Sequence, residues 1–323
     1  MKYIIVLVTL FVLEVLYFRV ADRFNIIDKP NERSSHSSIT LRGGGVIFYF
    51  SVLLYFLLSG CIYPWFFVGL TMMTLVSFLD DIYTLSNKIR LFIHFSAVLL
   101  MAFQLQVFEM PWYILVFMFI VVVGAINAYN FMDGINGITA CYSLALNSLL
   151  LIVNYKIKFV DQDFLLFVVL GILVFTFFNF RRKAKCFAGD VGSVTIAYIL
   201  LFALGALIMK TQNLVFILFL SVYGIDAVWT IIYRLYHREN IFEAHRSHLY
   251  QFLGNEGGIN KLLVSFSYAL IQFFIGILVI QIVTKDVFFQ IFFAVGLLTS
   301  LSVIYILMRN YVIRKYVKKG ELL

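Results

Sequence analysis

The sequence predicts an all-α, polytopic integral membrane protein with about eleven transmembrane helices in one domain, residues 1–323. Three observations carry that reading. Of the 323 residues, 63% are hydrophobic and only 13% charged, where a soluble domain carries about 25% charge. Mean hydropathy is +0.97. The chain has 36 Phe and 19 Tyr but only 3 Pro, which suits long helices rather than the short alternating strands of a membrane barrel.

Apolar windows of about 20 residues place the helices near 2–20, 44–60, 62–79, 90–108, 112–130, 138–155, 163–180, 192–209, 213–233, 261–283 and 286–308. The first run, Tyr3 to Phe18, has neither a strong basic n-region nor a small-residue cleavage site before Arg19, so it reads as a retained span. The longest polar stretches, 19–43 and 234–260, leave no room for a soluble domain, and no internal repeat is visible. Cys61, Cys141 and Cys186 are odd in number and lack metal-ligand spacing, so no disulfide framework is implied.

Basic residues set the orientation. Lys2, Lys156, Lys158, Lys210 and Lys285 fall on one side, leaving 20 of the 25 Lys and Arg on the other. The positive-inside rule puts the rich side in the cytoplasm. The N-terminus is then expected outside and the C-terminus inside. The net charge of +8 is accounted for by this asymmetry and by attraction to anionic membrane lipid. Nothing in the pattern asks for nucleic acid.

The same count brings every polar motif to the cytoplasmic face, in loops 19–45, 80–90, 127–137, 181–193 and 234–260. The central one is Asn127-Ala-Tyr-Asn-Phe-Met-Asp-Gly-Ile-Asn-Gly137, between two apolar runs. Asn127, Asn130 and Asp133 are three apart and share a broad helical face. Polar groups so placed in lipid are costly and usually functional, although a helix cap would also use Asn, Asp and Gly. The first loop holds His36, Thr40, Arg42 and Gly43–Gly45; glycines admit a phosphate close to the backbone and Arg offers a planar fork of donors. Asp80 and Asp81 end the third span as adjacent carboxylates, which a hard cation such as Mg²⁺ would relieve. Asp190, in Gly189-Asp-Val-Gly-Ser193, opens the eighth span, either as an N-cap or as a further carboxylate beside helix N–H groups that favour phosphate. The ninth span carries Asp226 and Arg234, and the following loop has His245-Arg246-Ser-His248. No third soft ligand is spaced for zinc, so contact with a phosphate or diphosphate is the better reading. Carboxylates, Mg²⁺ and Arg clamps on one face are equipment for phosphoryl transfer.

In this order the motifs resemble those of the polyprenyl-phosphate N-acetylhexosamine-1-phosphate transferases, over essentially the whole chain. That family includes the lipid I-forming translocase and the initiating enzymes of common antigen, O-antigen and teichoic acid. The resemblance implies a bacterial cytoplasmic (inner) membrane enzyme with its site facing the cytoplasm. It would transfer a sugar 1-phosphate from a UDP-N-acetylhexosamine to undecaprenyl phosphate, releasing UMP, with Mg²⁺ or Mn²⁺ as cofactor. It further implies Asp190 and Asp80 as metal ligands, and Asp80 or Asp81 to deprotonate or position the lipid phosphate. Asp133 joins this catalytic set and, with Asn127, Asn130 and Asn136, lines the nucleotide-sugar site. Asn136 stands where several relatives carry an acidic residue. His36, Thr40 and Arg42 are expected to bind substrate, as are His245, Arg246 and His248 at the diphosphate or sugar. The His-Arg-Ser-His run looks more like the O-antigen initiating branch, which implies 6-deoxy sugars such as FucNAc or QuiNAc and leaves UDP-GlcNAc as the alternative donor. A homodimer is left open. A lipid or small-molecule transporter is the alternative of a different class; it would place polar groups at mid-membrane, where only Glu14 stands here.

Overall fold

A computed structural model of the protein describes residues 1–30, 38–83, 85–240 and 246–317. Its helices are α1 Lys2–Arg23, α2 Ile47–Leu58, α3 Pro64–Tyr83, α4 Asn87–Gln104, α5 Trp112–Phe131, α6 Ile138–Ile157, α7 Gln162–Asn179, α8 Gly189–Thr211, α9 Ser221–Tyr236, the single turn α10 Leu249–Gln251, α11 Lys261–Ile282 and α12 Val287–Val312. Each of the eleven apolar windows thus meets a helix. Among the described residues, nine helical segments are long and apolar enough to cross a membrane. The other two explain the difference. α2 has 12 residues, about 18 Å of helix against an apolar layer of about 30 Å. α4 carries Lys88, Arg90 and His94 in its first two turns. Among the described residues, the β-structure is a two-stranded antiparallel ribbon, β1 Ile27–Asp28 with β2 Thr40–Leu41, pairing Ile27 with Leu41 and Asp28 with Thr40, and a single bridge from Leu41 to Cys186.

Connections at the two ends of the bundle lock separately. At one end the Lys2 ammonium pairs with Asp163, and Tyr55 Oη donates to Asp161 Oδ2 at 3.0 Å. At the other, Gly44 N–H donates to the Phe187 carbonyl at 2.9 Å and Phe187 N–H to the Leu41 carbonyl at 2.8 Å. Asn136 Nδ2 donates to the Arg181 carbonyl and Ser265 Oγ to the Asn136 carbonyl, both at 2.8 Å. The described parts of the polar motifs meet at this second end.

α8 is the axis of the bundle. Sixteen of its 23 residues are buried, among α2, α3, α5 and α6. An apolar helix buried all round is what Val191 to Leu207 encodes. α12 is its opposite: Tyr305, Arg309 and Val312 are its only buried residues, as suits a peripheral helix facing lipid.

The backbone at Gly45 and the start of α8 touch directly. A Cβ on Gly45 would lie 2.3 Å from Gly192 Cα and 2.9 Å from the Ala188 carbonyl oxygen. Neither obstacle is a movable side chain, so Gly45→Ala must push α2 and α8 apart. We expect it to destabilise the protein by about 1–3 kcal/mol, read as a lower melting temperature in detergent; an unchanged melting temperature would count against this close crossing.

Candidate active site

The site is built on the start of α8. Gly189 has φ +71°, and a Cβ there would meet Asp81 Oδ2 at 2.5 Å, so glycine is required at this turn. Asp81, at the end of α3, accepts hydrogen bonds from Asp190 N–H and Val191 N–H, each at 3.0 Å. A carboxylate from another helix thus caps α8 and meets the positive end of its dipole. Those two N–H groups are therefore occupied by Asp81, in contrast to the sequence reading of a helix start offering them to phosphate.

Two guanidiniums extend the network. Arg42 Nε lies 2.8 Å from Asp81 Oδ1, and its Nη2 lies 3.4 Å from Asp190 Oδ1. Arg90, at the start of α4, pairs with Asp80 Oδ2 at 2.8 Å and approaches Asp190 Oδ2 at 3.6 Å. Asp80 also accepts Leu85 N–H at 2.6 Å. The adjacent carboxylates are thus separated by arginines: Asp81 to Arg42, Asp80 to Arg90, with Asp190 loosely between the two. Burial works against the Arg42 charge, but Asp81, Asp190 and Asp28 around it raise its pKa above the usual value. The Asp81 side chain has 0% exposure, against 24% for Asp190. Both Asp81 oxygens are thus bonded, and the side chain is inaccessible in this arrangement.

A cavity of about 230 Å³ opens beside this network, lined by Arg42, Asn130, Asp133, Asn136, Asp190 and Ser193 among others. Asn130 Nδ2 donates to Ser193 Oγ at 3.1 Å, fixing the end of α5 to α8. Asp133 accepts the Thr139 hydroxyl at 2.6 Å. Burial pushes its pKa up to about 7; the Thr139 bond and Arg42 oppose the rise, while the charges of Asp190 and Asp81 add to it. Asn136 reaches the cavity with its amide already donating to the Arg181 and Arg182 carbonyls.

The remaining expected residues lie elsewhere. Thr40 is buried on β2 and donates to the Ser38 carbonyl. Asn127 is exposed, and its amide donates back to the Val123 carbonyl at 3.0 Å. Arg246 Nη2 pairs with Glu256 at 3.2 Å. His248 is buried with Nδ1 3.1 Å from Asp226 Oδ1. Neither Arg246 nor His248 lines the cavity. His36 and His245 fall outside the described residues.

Three cavity residues were not among the expected site residues. Asp28 lies on β1, and its place at the site depends on the ribbon bringing β1 against β2 and Arg42. Asn179 ends α7, where its side chain accepts Gly137 N–H at 2.7 Å and donates to the Cys186 carbonyl at 2.8 Å. Gln251 is placed through Asp226. That buried carboxylate accepts Leu249 N–H at 3.1 Å, Tyr250 N–H at 3.4 Å and the Tyr268 hydroxyl at 2.8 Å, so it fixes the turn of α10. Gln251 Oε1 accepts His248 N–H at 3.3 Å. Asp226 and His248 thus orient a wall of the cavity from behind it.

Among the described residues, no group of three or more His, Cys, Asp or Glu could hold a metal ion on its own. A chain that recruits Mg²⁺ through one or two carboxylates and substrate phosphates shows no such cage.

Residues 63–210 match the model of glycosyl transferase family 4. The chain is 26% identical over 324 residues to a probable undecaprenyl-phosphate N-acetylglucosaminyl 1-phosphate transferase of Bacillus subtilis (strain 168), covering 94% of this chain and 90% of that protein. It is 26% identical over 276 residues to an undecaprenyl-phosphate alpha-N-acetylglucosaminyl 1-phosphate transferase of Thermotoga maritima, covering 76% and 80%. A phospho-N-acetylmuramoyl-pentapeptide-transferase of the same organism is 37% identical over 89 residues, 28% of each chain. The matched segment supplies Asp80, Asp81, Arg90, Asn130, Asp133 and Asp190, and with these relatives it supports the likeness to the polyprenyl-phosphate N-acetylhexosamine-1-phosphate transferases that the motifs suggested.

Proposed function

We propose that the protein transfers N-acetylhexosamine 1-phosphate from a UDP donor to undecaprenyl phosphate at the cytoplasmic face of a bacterial inner membrane, starting a cell-surface polysaccharide such as O-antigen. The observation that carries this is one polar cavity, at one end of the helical bundle, holding Arg42, Asp133 and Asp190 together. An oxygen of the lipid phosphate attacks the sugar-bearing phosphorus. The bond from that phosphorus to the bridging oxygen breaks, and UMP leaves with the oxygen. The basic residues gathered at the site end favour the cytoplasmic face. That two relatives are N-acetylglucosaminyl 1-phosphate transferases supports GlcNAc, and so UDP-GlcNAc as donor, over the 6-deoxy sugars that the His-Arg-Ser-His run suggests.

In this reading Arg42 and Arg90 exchange their long contacts with Asp190 for phosphate oxygens, as bidentate donors do. Asn130, Asn136, Gln251 and Asp28 line the same cavity, where the donor would sit. Asp190 has the hard oxygens and the exposure to hold Mg²⁺, with Mn²⁺ as substitute, whereas Asp80, the second expected ligand, is engaged by Arg90 and Leu85 N–H. When bound, the cation supplies charge neutralisation on the diphosphate.

Asp133 takes the proton of a monoprotonated lipid phosphate. Its affinity for that proton, near pH 7, is close to the second ionisation of a phosphate monoester, about pH 6. A base must be ionised to act, so kcat/KM falls as pH drops below about 7 in the wild type. Asp133→Asn loses that acid limb and about 10²–10⁴-fold in rate. A variant that keeps both rate and limb assigns the proton to another group.

The decisive assay is UMP release from UDP-GlcNAc, UDP-FucNAc and UDP-QuiNAc by purified protein. Release is expected only with undecaprenyl phosphate and a divalent cation present, and fastest with UDP-GlcNAc. No UMP from any UDP-amino sugar would sink the proposal.

A further inference from the structure

A second cavity lies outside the active site and shares none of its lining residues. It holds about 590 Å³ between α1, β2 and the end of α7. Its floor is apolar, formed by Val15, Phe18, Leu41 and Phe178, and its rim carries Arg19, Lys185 and one acidic residue, Asp22. Arg19 and Lys185 are exposed, and neither side chain has a hydrogen bond or ion pair among the described residues. Arg181 adds a third cation beside the groove, stacked 4.5 Å from the Phe177 ring centroid and 5.9 Å from that of Phe178.

We propose that this groove binds an anionic phospholipid, its phosphate between Arg19 and Lys185 and an acyl chain along Val15 and Phe178. Position argues for a lipid rather than a soluble anion. Arg19 sits one turn before the end of α1, and Val15 one turn deeper, about 6 Å along the axis. The groove therefore runs from headgroup depth into the apolar layer, where long cationic side chains keep their stems in lipid and their charge at the surface. Its deep end continues onto faces already turned outward, at Phe11 and Phe177, whose rings lie 5.6 Å apart. Charge argues for an anionic headgroup: the three cations outnumber Asp22, and a zwitterionic headgroup would bring its own cation to them. The site is independent of how the reaction proceeds.

The test is native mass spectrometry of the whole protein released from mixed phosphatidylglycerol and phosphatidylcholine vesicles. The wild type is expected to retain phosphatidylglycerol over phosphatidylcholine, and Arg19→Gln/Lys185→Gln to lose at least about tenfold of that preference. Arg19→Lys/Lys185→Arg should keep it, which separates loss of charge from loss of fold. Arg182→Gln/Lys183→Gln removes two cations that are also exposed but lie outside the groove and should change retention little. Equal loss in this control would make the effect one of bulk surface charge and overturn the proposal. So would unchanged retention in the Gln pair, or displacement of the lipid by inorganic phosphate alone.

Discussion

Asp190→Asn lowers turnover by about 10³-fold or more while leaving the protein inserted and folded. The expectation rests on what the side chain does and does not hold. Its own contacts are long, 3.4 Å to Arg42 and 3.6 Å to Arg90, and each arginine has a closer partner in Asp81 or Asp80 at 2.8 Å. Removing one charge therefore orphans neither guanidinium. The amide keeps the size of the carboxylate but supplies no charge to a cation or to the electrostatic balance around a diphosphate. Steady-state UMP release and melting temperature, measured side by side, check this. Near-normal turnover would remove Asp190 from any metal or phosphate contact, and a large loss of stability would make its role structural.

Asp81→Ala is expected to do the reverse, costing stability first. The Asp81 side chain is fully inaccessible, and its loss leaves Asp190 N–H, Val191 N–H and Arg42 Nε without their partner. Arg42 is 36% exposed and keeps its contact with Asp190, so most of the cost comes from the orphaned N–H groups, about 1–3 kcal/mol. The variant should melt lower in detergent and lose activity through displacement of Arg42. Asp81→Asn keeps one oxygen for an N–H and should recover part of the stability. A dead Asp81→Ala that melts like the wild type would instead make Asp81 a reacting group.

The helices were legible because 63% apolar content in windows of span length leaves the chain few alternatives. The co-location of Arg42, Asn130, Asp133 and Asp190 was legible too, since span parity alone brings those loops to one end. Parity cannot say which way a side chain turns. Asp80 and Asp81 read as one paired site, yet helical rotation of about 100° per residue sends them to different arginines. Asn127 lies one turn before Asn130 and rotates out of the cavity. Asp28 was missed because a two-residue ribbon is too short to leave a pattern in sequence. His248 was expected to contact the diphosphate or sugar; its pairing with a distant carboxylate, Asp226, is invisible until the fold joins them.

The ribbon that carries Asp28 also sets where Arg42 stands. Pairing Asp28 with Thr40 fixes the backbone two residues before Arg42, and Leu41 between them accepts Phe187 N–H at 2.8 Å. Arg42 is thus anchored from β1 and from the approach to α8 at once, so a substitution that loosens either backbone contact moves the guanidinium without touching it.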